Sequence, residues 1–217
     1  MNTIENEACI RSESADDYKT VETLTREAFW NLHVPGCDEH YLVHVMRQHP
    51  DFIPELAFVA ILDDTIVGNI MYTRSALVNE QGEGMAAITF GPVSVLPEYQ
   101  KRGIGSALIR HSLAKAKELG HRVVVIEGHP YNYCKHGFRG SKSLGVSDAD
   151  GRYPFSLLVL ELKEGALAGH SWHFKPSGVY ELDEQKAAAF DAALPPKEKT
   201  FSPSQEEFRI ASAAFVE

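Results

Sequence analysis

The chain has 217 residues, 44% of them hydrophobic and 24% charged, enough for one globular domain with a full core, or one domain with an extension. Its formal charge of −9 argues against nucleic acid as a partner, because phosphate binding needs a basic surface, and suits a cationic acceptor or plain solubility. No apolar run approaches the roughly 20 residues of a membrane span, and the first residues carry Glu5 and Glu7 in place of a basic, apolar leader. Three scattered cysteines, Cys9, Cys37 and Cys134, fit reduced thiols in a cytoplasmic protein better than disulfides or a zinc site.

In chain order, Ile10 to Ser12 reads as the end of a first strand. A helix capped by Asp16 or Asp17 follows, running to Phe29 with Val21, Leu24, Thr25 and Ala28 at helical spacing. Pro35-Gly36 is a break, and Asp38 caps a second helix over 39–48. Leu56–Leu62 and Ile66–Tyr72 read as strands joined by a turn at Asp63-Asp64-Thr65. The Gly-rich loop 81–84 leads into an apolar strand, Ile88 to Leu96. A helix over 103–119 places Ile104, Ala107, Leu108, Ala114 and Leu119 on one stripe and ends at Gly120. Arg122 to Glu127 holds four consecutive apolar β-formers, the mark of a strand buried on both faces, so strand, helix and strand predict a parallel crossover. Another strand covers 154–162. Beyond Glu164, extended pieces at 171–174 and 178–182 precede a helix from Asp183 to Leu194, stopped by Pro195-Pro196. Ser204 to Glu207 forms a capping box for a last helix.

The stretch Gln100-Lys101-Arg102-Gly103-Ile104-Gly105-Ser106 lies between a strand and a helix. A glycine turn there presents free backbone N–H groups at a helix N-terminus, which bind an anion such as a pyrophosphate. It is no P-loop, because no Lys follows Gly105, and no dinucleotide fingerprint, because position 108 is Leu rather than a third Gly.

Gln-x-x-Gly-x-Gly, preceded by Val93-Ser94-Val95-Leu96-Pro97 and followed by Tyr133-Cys134-Lys135-His136-Gly137-Phe138, resembles the coenzyme A turn and Tyr-x-x-x-Gly-Phe of the GCN5-related N-acetyltransferase (GNAT) family. Phe52-Ile53-Pro54-Glu55-Leu56 and Gly165-Ala166-Leu167-Ala168-Gly169 resemble a bacterial subgroup of it. The resemblance implies a mixed α/β fold, a central and mostly antiparallel sheet flanked by helices, over residues 8–164, with 165–217 an extension packed on the same domain. It also implies an enzyme that moves an acetyl group from acetyl-coenzyme A (acetyl-CoA) to a small amine or a protein lysine. The backbones of Val93, Ser94 and Val95 would hold the pantetheine arm, with the N–H of Val93 on the thioester carbonyl. Gln100, Lys101, Arg102, Gly103, Ile104, Gly105 and Ser106 would meet the pyrophosphate. Tyr133 would protonate the departing sulfur.

The base is less plainly written. An amine with pKa near 10 must lose a proton before it attacks, and the strand 85–90 holds no carboxylate. Glu127 is the first candidate, with His129, or Glu39 and His40 at the cleft border, as others; the family's Asn-x-x-Ala is missing. Cys134 has no neighbour that marks it as an acyl acceptor. His40 with His44, and His170 with His173, lack the companions of a metal site, so none is expected. The alternative is a non-catalytic acyl-CoA-binding module. The aromatic residues Trp172, Phe174, Tyr180, Phe190 and Phe208 of the extension are available for core packing, for covering the cleft, or for a homodimer.

Overall fold

A computed structural model describes residues 8–217; the reading of the first seven residues lies outside them. Strand β1 (Cys9–Ser12) leads through a single 3-10 turn into α1 (Tyr18–Phe29), and α2 spans Glu39–Met46. Then come β2 (Phe58–Leu62), β3 (Thr65–Asn79), β4 (Gly84–Val95), α3 (Ile104–Glu118), β5 (Val123–Glu127) and the one-turn α4 (Pro130–Tyr133). Short strands β6 (Arg139–Gly140) and β7 (Val146–Ser147), β8 (Leu157–Glu161), β9 (Trp172–Lys175), α5 (Glu184–Ala192) and α6 (Pro203–Ala213) complete the chain. One sheet runs β1-β2-β3-β4-β5-β8-β6, with β9 on β3 and β7. All pairs are antiparallel except β4–β5 and β7–β9, the mixed, mostly antiparallel sheet expected.

The β2–β3 hairpin turns on Asp63 and Asp64, both at positive φ (47° and 59°). Two such residues make the turn whose twist matches the strands, and Asp tolerates the conformation. β3 continues seven residues past its expected end at Tyr72. Its polar residues break the apolar alternation, yet each has a partner: Arg74 bonds the carbonyls of Pro50 and Phe52, and Ser75 takes the Thr89 hydroxyl.

Helix α3 covers one face of the sheet. Ile104, Leu108, Ile109 and Leu113 pack there with Ile70, Tyr72, Ile88, Phe90, Val124 and Ile126. The buried stripe is rotated from the expected one, since Ala114 and Leu119 face solvent while Ser112 is buried. A serine is tolerated inside because its hydroxyl pairs with that of Tyr72 at 2.8 Å. Successive strand side chains point to opposite faces, so Val123 and Val125 pack on the other side with Leu77, Trp172 and Phe174. That opposite face also carries α2, whose Leu42, Val43 and Met46 meet Phe52, Met71 and Val179.

Four local expectations are corrected. Asp17 does not cap α1; its carboxylate takes the backbone N–H and hydroxyl of Ser14 and both guanidinium donors of Arg11, which hold it well below the usual carboxylate range. Helix α2 ends two residues early, at Met46. Residues 178–180 form a 3-10 turn rather than a strand, because the Ser177 hydroxyl caps the N–H of Val179. Ser204 lies inside α6, with its hydroxyl spent on the carbonyl of Leu32, and Ser202 precedes the helix. Asp183 does cap α5, through the N–H groups of Gln185 and Lys186.

Candidate active site

β4 and β5 touch as a parallel pair at one register position, Ile88 opposite Val124. Beyond it β4 runs on to Val95 without β5 as a partner. The N–H of Leu96 bonds the carbonyl of Val67 on β3. By alternation, the polar groups of Val93 and Val95 therefore face away from β3, toward the gap. Register between β3 and β4 shifts between Ile70 and Tyr72, across from Gly91-Pro92, whose peptide is cis. Ser94 belongs to the other side of this geometry: its buried hydroxyl bonds that of Thr25 on α1, and its backbone lies opposite Asn69 of β3.

At the end of β4 the chain turns into α3. Gly103 precedes the helix at φ +96°, where a side chain would be strained, and Lys101 is also left-handed at φ 60°. No side chain caps the helix and no acidic residue stands in its first turn. The N–H of Ala107 is the one satisfied by Gly103, so those of Ile104, Gly105 and Ser106 are left for an anion. Gly105 has an ordinary φ, and the nearest atom to a Cβ placed there is Val95 Cγ2 at 3.7 Å. Nothing in the protein requires glycine at this point, while a ligand approaching the backbone would. Lys101 and Arg102 are exposed beside the turn. The Gln100 amide is engaged elsewhere, donating to the carbonyl of Val95 at 3.0 Å.

Tyr133 hangs from α4 on the α3 side of the sheet. Its ring lies 5.8 Å from that of Phe90 and 6.1 Å from that of Phe138. Burial pushes its phenol above the ordinary value, so it stays protonated at neutral pH. Its position depends on a residue the sequence reading passed over. A Cβ on Gly128 would stand 2.4 Å from Tyr133 Cε2, so glycine is what lets the ring lie against the end of β5. The signal was a glycine directly after a strand and five residues before the tyrosine.

Glu127 closes β5 and, by alternation with Val123 and Val125, projects from the face opposite α3. Among the described residues its carboxylate makes no hydrogen bond or ion pair. Desolvation, then the charge of Asp148, raises its pKa. The other base candidates have different duties. His129 accepts the N–H of Tyr131 to start α4. Glu39 pairs with His33 at 3.1 Å. His40 is fully buried, with Cys37 Sγ 3.5 Å from one ring nitrogen and Asp191 Oδ1 3.2 Å from the other, so it does not border a cleft. Burial pushes the Cys37 thiol up to about 12, and a thiol so protonated is no nucleophile. His44 bonds Glu22, away from His40. Cys134 is exposed. Among the described residues no helix is long and apolar enough to cross a membrane.

Comparison with known proteins agrees with this geometry. A family model described as Acetyltransferase (GNAT) family matches residues 25–138. The chain is similar to the uncharacterized N-acetyltransferase YjhQ of Escherichia coli, 34% identical over 39% of this chain but only 46% of that protein. It is likewise similar to the uncharacterized N-acetyltransferase YhbS of Escherichia coli, 30% identical over 59% of this chain and 72% of that one. Among solved structures, YhbS from Escherichia coli in complex with CoA superposes with TM-score 0.69 at 23% identity, over 81% of this chain and 93% of that chain. A GNAT acetyltransferase from Brucella melitensis in complex with acetyl-CoA gives 0.62 at 23% identity, over 80% and 97%. With more than half its length matched by the family and the splayed sheet and glycine turn in place, this chain belongs to the acetyltransferase (GNAT) family.

Proposed function

We propose that the protein transfers an acetyl group from acetyl-CoA to a primary amine, small or on a protein lysine, by direct attack while both substrates are bound. The observation that carries this reading is the gap between β4 and β5, lined by backbone groups of Val93 and Val95 that β5 does not pair, with a proton donor at one face and, among the described residues, an unpaired carboxylate at the other. Acetyl-CoA would supply the acetyl group as an activated thioester. The site fits it: the N–H groups of Ile104, Gly105 and Ser106 suit the pyrophosphate, and the open space over Gly105 admits its oxygens. Lys101 and Arg102 add positive charge there, and the Gln100 amide donates to the Val95 carbonyl beside it. Val93 and Val95 offer strand-like pairing to the pantetheine arm, with Ser94 as the spacer that turns inward. A fixed N–H at Val93 stabilises charge developing on the carbonyl oxygen without reorganising.

Tyr133 Oη holds the proton destined for the leaving sulfur, a role suited to a phenol kept neutral by burial. Glu127 takes the proton from the incoming ammonium, directly or through water. Its raised pKa brings a carboxylate nearer to the operating pH, which favours a base. Residues 8–164 form the transferase domain on this reading, and 165–217 an extension on the same core. The free thiols of Cys9, Cys37 and Cys134 support a reducing, cytoplasmic setting.

Thiol release from acetyl-CoA, measured with a panel of primary amines, tests the proposal. Turnover with initial-rate lines that intersect, as a ternary complex requires, is expected. Saturable CoA binding without turnover on any amine overturns it in favour of a binding module.

A further inference from the structure

We infer that Tyr180, carried by the C-terminal extension, positions the acceptor amine from the face of the sheet opposite Tyr133. This rests on the acetyl-transfer reading and adds a residue to it. Tyr72 and Thr73 are neighbours on β3 and must point to opposite faces. Tyr72 goes to Ser112 of α3, and Thr73 goes to Tyr180, with Oγ1 3.4 Å from the phenol oxygen. Tyr180 thus lies on the face away from α3, the same face onto which alternation turns Glu127. The two are near enough that the Glu127 charge adds to the burial that pushes the Tyr180 phenol up to about 12.

The phenol is aimed at the bulge. It stands 3.4 Å from the carbonyl of Gly91, where the β3–β4 register breaks. Both contacts are at the long limit of a hydrogen bond, so neither uses the hydroxyl fully. The backbone that carries it is fixed on both sides, in contrast. Ser177 donates to Asp51 at 2.7 Å, and Val179 is buried among Leu42, Phe52 and Met71. A rigidly held ring with a weakly engaged hydroxyl suits a group that hands part of its hydrogen bonding to a ligand.

The topology explains why the acceptor would come from this side. The pyrophosphate cradle and Tyr133 occupy the α3 face, so the leaving sulfur departs there. The amine adds to one face of the planar thioester carbonyl, and the face turned from α3 is the one that Glu127 and Tyr180 border; the C–S bond then breaks from the tetrahedral adduct. Tyr180 donates to the Gly91 carbonyl and accepts an N–H of the amine, which turns the nitrogen lone pair toward the gap, while Glu127 takes the proton. Phenol and carboxylate together select a cationic primary amine.

The test uses the full chain saturated with CoA. Calorimetric binding of spermidine, tyramine and a lysine-containing peptide is compared between wild type and Tyr180→Phe, alongside steady-state kinetics with acetyl-CoA. The expected result is a five- to tenfold weaker Kd and higher KM for the amine that binds, with kcat within twofold and CoA affinity and melting temperature unchanged. An amine Kd and KM within twofold of wild type overturns the positioning role and leaves acetyl transfer standing. Absence of both amine binding and turnover, with CoA still bound, overturns the transfer reading and this role with it.

Discussion

The two faces of the β4–β5 gap are built by different means. On the α3 face, the groups proposed for the donor come, Tyr133 apart, from one stretch of chain, 93–106, and most are backbone: strand edges, a left-handed Gly103 and unfilled helix N–H groups. On the opposite face the groups come from β5, from the bulge of β4 and from Tyr180, more than 50 residues beyond Glu127, and are mostly side chains. Donor recognition by backbone is local and tolerates drift in side chains. Acceptor recognition by side chains brought from afar changes whenever one distant segment changes. A family can therefore keep one donor and many acceptors.

Four substitutions would break or sharpen this contrast. On the proposed mechanism Tyr133→Phe removes the proton meant for the sulfur, and kcat is expected to fall about 10²-fold with CoA affinity intact by calorimetry. A loss of affinity instead would make Tyr133 a packing residue. Glu127→Gln should lower kcat by about tenfold or more and alter the pH profile. The Glu127 pKa is raised, so its basic form is lost at higher pH than for an ordinary carboxylate as pH falls. Wild type should then show an acid limb displaced upward, and the Gln variant a flat one. An unchanged limb assigns the base elsewhere. Gly128→Ala forces Tyr133 from its place, and about a tenfold drop in kcat is expected with little change in CoA affinity. Gly103→Ala places a Cβ at φ +96°, at a cost of about 1–2 kcal/mol, read as a lower melting temperature and CoA binding weakened severalfold. Unaltered stability there would mean that the turn relaxes freely.

The glycine turn and the helix start it leads into were legible because their geometry is local. A strand, two glycines and an uncapped helix start can be seen in one window of sequence, and the Asp63-Asp64 hairpin followed from residues that accept positive φ. What stayed hidden depends on contacts across the fold. Ser112 reads as a polar break in a stripe until Tyr72 is placed beside it. That the Gln100 amide also reaches the Val95 carbonyl is not written in the turn itself. His40 reads as a residue at the cleft border until Asp191 and Cys37 close over it. Tyr180 was one of five aromatics open to core packing, and only the pairing of Thr73 directs it to the bulge.

The single rung between β4 and β5 has a mechanical consequence. Two blocks of sheet, β1 to β4 and β5 with β8 and β6, are stitched at Ile88 and Val124 and are otherwise coupled through α3 and the packed side chains. A ligand arm that pairs with β4 would act as a splint across the seam. The amides of Val93 and Val95, facing that seam, would then exchange hydrogen with solvent freely in the bare protein and slowly in the loaded one, a label-free gauge of occupancy that works whatever the acceptor is.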